Sequence, residues 1–154
     1  VGADIVADAV AALEKFEPPI VTIDMGTATT LSYLGESTYK GCVIIPGAHR
    51  RGGSLRPGRG AAPHLPGGAP SIFGRSTIGA MRSGVLYGNA GMIDSMIQRM
   101  EEAARPVATV VMTGGNAAYP EILQAGILID ENLLLDGLYY LYQKNLDRRR
   151  KRGE

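Results

Sequence analysis

The sequence predicts one α/β domain, and three observations support this fold class. Apolar residues recur at helical spacing in several segments, and short β-branched runs bounded by glycine or proline lie between them. The predicted order is helix, three strands, helix, strand, helix, strand, helix, so that a meander of antiparallel strands leads into a parallel part. A length of 154 residues with 45% hydrophobic content suffices for one domain with a core.

The first predicted helix covers Asp4–Phe16, where apolar residues follow helical spacing and Asp4 could act as the N-cap. Two prolines at 18 and 19 end it. The run Ile20–Met25 is apolar and β-branched, which predicts a buried strand.

Two further strands are predicted at Leu31–Leu34 and Tyr39–Ile45, with a short turn at 35–37 between them. Together with the first strand they form the three-stranded antiparallel meander. Cys42 is the single cysteine and lies in an apolar run, so we expect a buried thiol and no disulfide. One cysteine fits a reducing compartment, and we expect a cytoplasmic protein.

The second half of the chain predicts the parallel strands and the helices that cover both faces of the sheet. The predicted elements are a helix at Thr77–Ala104, a strand at Val107–Met112, a short helix at Tyr119–Gln124, a strand at Ile127–Ile129 and a helix at Asn132–Asn145. Ser76 or Thr77 could cap the first of these helices.

Two stretches depart from this regular pattern. Gly, Pro and Arg crowd Pro46–Pro70, a composition that cannot form a stable helix, and we expect a flexible loop over 48–70. Five cations close the chain at 148–152, and we expect a domain at 1–147 followed by a basic disordered tail at 148–154. Net charge is +1 and no aromatic residue is interleaved with these cations, so we expect no nucleic-acid partner. No apolar stretch approaches membrane-spanning length, and we expect no membrane partner.

Two strand ends carry glycine turns, Asp24-Met25-Gly26-Thr27 and Thr113-Gly114-Gly115-Asn116. Glycine lets backbone approach an anion closely, threonine hydroxyls can donate to phosphate oxygens, and a carboxylate suits a cation. In open α/β sheets, ligands bind at the carboxyl ends of strands. The first stretch fits an ordinary strand-turn-strand hairpin equally well. The sequence contains neither GxxxxGK[ST] nor GxGxxG, which leaves P-loop and Rossmann sites without support.

The two turns, in this order, resemble the ribonuclease-H-like, actin-like ATPase superfamily, and within it the type III pantothenate kinases, in their C-terminal part. The matching segments are Val1-Gly2-Ala3-Asp4, Asp24-Met25-Gly26-Thr27-Ala28-Thr29-Thr30, Gly41 with Pro46-Gly47, Gly74-Arg75-Ser76-Thr77 with Ser83-Gly84 and Gly88, Thr113-Gly114-Gly115, and Leu135-Asp136-Gly137-Leu138. They are collinear and cover nearly the whole chain.

The resemblance implies ATP-dependent phosphorylation of pantothenate to 4'-phosphopantothenate, the first step of coenzyme A synthesis, with Mg²⁺ on the phosphates. It implies that Asp4 is the general base and that Asp24 holds a monovalent cation, K⁺ or NH₄⁺. It implies a homodimer in which Thr77 reaches pantothenate across the interface. The other residues that it implies are Gly2, Ala3 and Ile5 for pantothenate and Gly26, Thr27, Gly114 and Gly115 for ATP. Without the resemblance, Asp4 and Thr77 would be interpreted as helix caps.

The chain departs from the family in three ways. The family has an N-terminal half with another acidic glycine-threonine loop, which this sequence lacks, so we expect the isolated chain to be inactive. Ile5 stands where the family has arginine, and the stretch Ala48–Leu65 replaces a family helix. Two alternatives therefore stay open: a non-catalytic accessory or regulatory protein on the same fold, and a dimerising fragment.

Overall fold

A computed structural model describes residues 2–46, 71–115, 123–124 and 126–152. The predicted loop at 48–70 lies outside these residues, as does most of the predicted helix Tyr119–Gln124. The described elements, in order, are α1 (Ala3–Lys15), β1 (Ile20–Met25), β2 (Ala28–Leu34), β3 (Tyr39–Pro46), α2 (Thr77–Ala103), β4 (Thr109–Thr113), β5 (Ile127–Ile129) and α3 (Leu133–Arg152). The predicted order of elements is confirmed for all eight.

The five strands form one mixed sheet in the order β3-β2-β1-β4-β5. Strand β1 pairs antiparallel with β2 and parallel with β4. Strand β3 pairs antiparallel with β2, and β5 pairs parallel with β4. The predicted meander extended by parallel strands is therefore correct. Because β1 is central, both of its edges are bonded to neighbours.

Successive side chains of β1 point to opposite faces of the sheet, so each face has its own apolar cluster. Val21, Ile23 and Met25 point to the face that α2 covers, where Ile93 and Ile97 complete one apolar cluster. The opposite face is covered by α1 and α3. There a second cluster contains Ala9, Ala11, Ala12, Ile20, Leu34, Val111 and Leu133. Helices thus cover both faces, as predicted.

Helices α1 and α3 pack at very short range because small residues line their contact. A Cβ atom added to Gly137 would lie 2.0 Å from the carbonyl oxygen of Ala7, so glycine is required there. Ion pairs border the contact: Lys15 bonds Asp136 at 2.6 Å, and Lys144 bonds Glu14 at 2.6 Å. This contact fixes α1 on the sheet, and α1 carries the acidic residues described below.

Helix α2 is far longer than the strands that it covers. Its 27 residues span about 40 Å, whereas only its C-terminal half packs on the sheet. Ser76 is the N-cap, as predicted, and its hydroxyl accepts a hydrogen bond from the Gly79 N–H at 3.1 Å. The first turns of α2 therefore project away from the core.

Three local predictions differ from the structure. Strand β2 begins at Ala28 rather than Leu31, because the threonines there pair with β1. Helix α3 continues to Arg152 and takes in most of the predicted disordered tail. Arginine and lysine are good helix formers and are favoured at a helix C-terminus. Cys42 is exposed, not buried, since it lies on β3, the edge strand of the sheet.

No helix in the described part of the chain has both the length and the apolar character that crossing a membrane requires.

Candidate functional site

The two glycine turns lie side by side at the carboxyl ends of β1 and β4. In the parallel pairing of these strands Asp24 is the partner of Thr113, so Gly114 follows directly beside Met25. A Cβ atom on Gly114 would lie 2.7 Å from Asp24 Oδ1 and 2.7 Å from the Met25 nitrogen. Gly114 also has φ +98°, which disfavours any other residue. The sequence predicted both turns, and the structure brings them into contact.

The first turn is a tight hairpin. Residues Gly26 and Thr27 connect β1 to β2, whose register pairs Met25 with Thr29 and Asp24 with Thr30. Thr27 is exposed at the tip, and Gly26 is half-buried. The hairpin interpretation of this stretch is therefore confirmed, and a ligand at its tip would meet the exposed Thr27 hydroxyl.

The start of α1 brings a second acid to this edge. Asp4 lies in the first turn of α1, and its Oδ1 accepts a hydrogen bond from the Ile5 N–H at 2.9 Å. Gly2 occupies the N-cap position without a side-chain cap, so the interpretation of Asp4 as the N-cap is wrong. Gly2, Ala3 and Asp4 are exposed. A carboxylate here is available for proton transfer.

Asp24 lies on the face of β1 that α1 covers, because it shares that face with Ile20. Burial raises the pKa of the Asp24 carboxyl, and the nearby negative charge of Asp4 raises it further. Two of the predicted site residues, Asp4 and Asp24, are thus close enough to influence each other electrostatically.

A third acid, Asp8, completes this cluster and was missed from sequence. Asp8 follows Asp4 by one helical turn, is 4% exposed, and has an Oδ1 atom with no hydrogen-bond partner among the described residues. Burial, followed by the charges of Asp24 and Asp4, raises its pKa from 3.8 to about 7. The spacing of Asp4 and Asp8 by four residues puts both on one helical face, and this was the available signal.

The structure separates one predicted residue, Thr77, from this cluster. Thr77 is exposed at the start of α2, about 24 Å along the helix axis from Ile93, which packs on the sheet. Gly115 directly follows Gly114 and is exposed, and no atom of the described residues lies within 4 Å of the position of a Cβ added to it.

The acidic cluster offers few protein ligands for a cation. Among the described residues, no group of three or more His, Cys, Asp or Glu side chains is arranged to hold a metal ion. A cation at Asp24 would therefore take some of its oxygen ligands from backbone or from a bound substrate. The buried Oδ1 of Asp8, which has no hydrogen-bond partner among the described residues, is a further oxygen that fits such a cation.

Comparison with solved structures identifies the fold. The activator of 2-hydroxyisocaproyl-CoA dehydratase from Clostridium difficile, solved with bound ADPNP, matches 96% of this chain and 69% of its own with a TM-score of 0.52 at 13% identity. A Campylobacter jejuni protein assigned to the Baf family of transcriptional activators matches 92% of this chain and 65% of its own with a TM-score of 0.57 at 20% identity. The fold is that of the actin-like ATPases.

Sequence comparison narrows this class to one family. The family model for type III pantothenate kinase matches residues 1–99. A type III pantothenate kinase of Bacillus cytotoxicus is 37% identical over the whole of this chain. The chain belongs to the type III pantothenate kinase family. It spans 60% of the length of that relative.

Proposed function

We propose that this chain forms the C-terminal part of a type III pantothenate kinase, which transfers the γ-phosphoryl group of ATP to pantothenate. The observation that carries the proposal is the contact between Gly114 and Asp24, because it joins the two glycine turns into one strand-end site. Family membership supports the substrates.

The nucleotide would lie along the carboxyl ends of β1 and β4. The exposed Thr27 hydroxyl and the Gly26 backbone would donate to phosphate oxygens, and Gly114 with Gly115 would leave room for the adenosine. Mg²⁺ on the phosphates would neutralise charge that develops during transfer. Asp24 would hold a monovalent cation, K⁺ or NH₄⁺, near the phosphates.

Asp4 would act as the general base. It would take the proton of the pantothenate hydroxyl, whose oxygen then attacks the γ-phosphorus while ADP leaves. Its exposure at the start of α1 supports this role, since a substrate can reach it, and Gly2 and Ala3 leave the approach open. Ile5 would lie beside the pantothenate and bring no charge to bind it.

We include a homodimer in the proposal. Three apolar side chains before and at the start of α2 are exposed: Ile72 by 53%, Phe73 by 81% and Ile78 by 47%. In a dimer, the projecting end of α2 from a second copy would cover them. Thr77 lies in the same region, so it could reach the partner's pantothenate. The mass from light scattering should fall from dimer to monomer in Ile78→Asp and stay dimeric in Leu128→Asp.

A cytoplasmic location is part of the same proposal. It is supported by Cys42, the single cysteine, which is exposed and free.

The kinase proposal is tested by ADP release on addition of pantothenate, with this chain and with the longest protein that its gene encodes. We expect turnover only in the longer protein, reduced about 100-fold or more by Asp4→Asn, the usual contribution of a general base. Asp147→Asn, on exposed α3, is the matched control and should leave turnover unchanged. Equal turnover in Asp4→Asn and the control would refute the role of Asp4.

A non-catalytic accessory role is the second candidate, and two observations favour it. Ile5 is uncharged where the resemblance to the family implies arginine, and the five cations at 148–152 are all exposed on regular helix. Nucleic-acid binding that weakens steeply with salt, in a long protein without kinase turnover, would select this candidate.

A further inference from the structure

Asp8 is buried where a charge is hard to accommodate. It lies in the middle of α1, on the helical face that also carries Asp4 one turn earlier. That face meets the side of β1 from which Asp24 projects. Asp8 is near enough to Asp24, at the carboxyl end of β1, for the negative charge of Asp24 to raise the Asp8 pKa.

No described residue compensates the negative charge of Asp8. Acidic side chains are almost never fully buried unless they are paired, and an unpaired buried charge is strongly destabilising. Asp8 is 4% exposed, yet its Oδ1 atom accepts no hydrogen bond from any described residue. Its electrostatic neighbours, Asp24 and Asp4, are themselves negative, and the pKa values of both Asp8 and Asp24 are raised.

The nearest cation along α1 is engaged elsewhere. Lys15 bonds Asp130 and Asp136 at the other end of the helix. A proton neutralises Asp8 below about pH 7. Above that pH, a cation from solution can neutralise the acidic cluster, since no described cationic side chain does so. Carboxylate oxygens that lack donors are suitable ligands for a hard cation.

We propose that the buried carboxylate of Asp8 is a second protein ligand, beside Asp24, of a K⁺ ion at the carboxyl end of β1. The inference rests on the proposed function, which places a monovalent cation at Asp24. The inference adds Asp8, which no sequence motif identified, so that α1 contributes a ligand to the cation site. Cation binding would then couple the position of α1, and with it the general base Asp4, to the end of β1.

The test measures thermal unfolding of this chain at pH 8, with KCl replacing choline chloride at constant ionic strength. We expect the wild-type Tm to rise by about 3 °C between zero and about 150 mM K⁺, since a ligand that binds only the folded state stabilises it. Asp8→Asn and Asp24→Asn should lose this rise, and Asp147→Asn should keep it. In choline chloride alone, Asp8→Asn should have a higher Tm than wild type, because it removes a buried charge.

Equilibrium dialysis with rubidium as the probe ion gives a second measurement that does not depend on unfolding. We expect one ion per wild-type chain and at least about tenfold weaker binding in Asp8→Asn, the size reported for changes around metal ligands. This measurement decides the proposal if a variant unfolds without a clear transition.

The outcomes separate this inference from the proposed function. A K⁺ response lost in Asp24→Asn and kept in Asp8→Asn would overturn the role of Asp8 and leave the Asp24 site standing. A response that neither variant changes, the absence of any response in wild type, or a response to Mg²⁺ alone would overturn the K⁺ site. A K⁺ response that depends on both acids, in a protein without kinase turnover, would support the inference while the proposed function fails.

Discussion

Replacement of Gly114 by alanine tests whether the contact between the two glycine turns is a fixed part of the fold. The new Cβ would lie 2.7 Å from Asp24 Oδ1, 2.7 Å from the Met25 nitrogen and 2.8 Å from the Met25 carbonyl carbon. The carboxylate could rotate away. The Met25 backbone cannot follow easily, because its strand is paired on both sides.

The expected loss of stability has two parts. A residue other than glycine at φ +98° is strained by about 1–3 kcal/mol. Forcing an extra methyl group into a packed site costs about 1–3 kcal/mol more. We therefore expect Gly114→Ala to lower the free energy of unfolding by about 3 kcal/mol, a large share of the roughly 5–15 kcal/mol typical of a domain.

Urea denaturation followed by far-ultraviolet circular dichroism measures this loss, since the chain has no tryptophan. Gly115→Ala is the matched control, because no described atom lies within 4 Å of its added Cβ, and it should change stability by less than about 0.5 kcal/mol. Equal stability of the two variants would show that the turns do not touch, and would remove the main support for the proposed nucleotide site.

Three further predictions concern the helices. Gly137→Ala would push α3 off the Ala7 backbone and should destabilise the chain by about 2 kcal/mol or more, measured by urea denaturation. Ser76→Ala removes the cap of α2 and should cost about 1 kcal/mol in the same assay. Because the Asp8 pKa is raised from 3.8 to about 7, the folded state binds more protons than the unfolded state, so stability should fall as pH rises from about 4 to 7. Each pKa unit corresponds to about 1.4 kcal/mol, which limits this fall to about 4 kcal/mol, and screening by water near exposed Asp4 should reduce it to half or less.

Each of these predictions has a result that would contradict it. A Gly137→Ala variant as stable as wild type would mean that α1 and α3 lie further apart than described. Unchanged stability in Ser76→Ala would show that the Ser76 hydrogen bond does not stabilise α2. For the pH dependence, measured without K⁺, Asp8→Asn should flatten the fall between pH 4 and 7. An equally steep fall in that variant would assign it to other groups.

Local sequence signals predicted most of the sheet because they coincide with the physical limits of each strand. Strand β1 was predicted with its observed bounds, since Pro19 precedes it and Gly26 follows it. The start of β2 was placed three residues late, because alanine and threonine next to a glycine are equally typical of a turn. Cross-strand pairing with β1 decides that question, and it is not a local property.

The candidate site was only partly predictable for the same reason. The glycine turns carry a sequence signal, so Asp24 and Gly114 could be identified before their contact was known. Asp8 carries a weak signal, because an aspartate in an alanine-rich helix is usually exposed. Its burial depends on the approach of α3 and β1 to α1, which arises only from the tertiary packing. The exposure of Cys42 likewise follows from the place of β3 at the edge of the sheet.

The central place of β1 determines how the candidate site responds to local opening. Strand β3 and the outer strand β5 are each held along one edge, whereas β1 is held along two. Its amide hydrogens should therefore be among the slowest in the chain to exchange with deuterated water. Detachment of the β2–β3 hairpin would still leave β1 bonded to β4, with Asp24 next to Gly114. The acid and the glycine separate only when β1 and β4 themselves come apart.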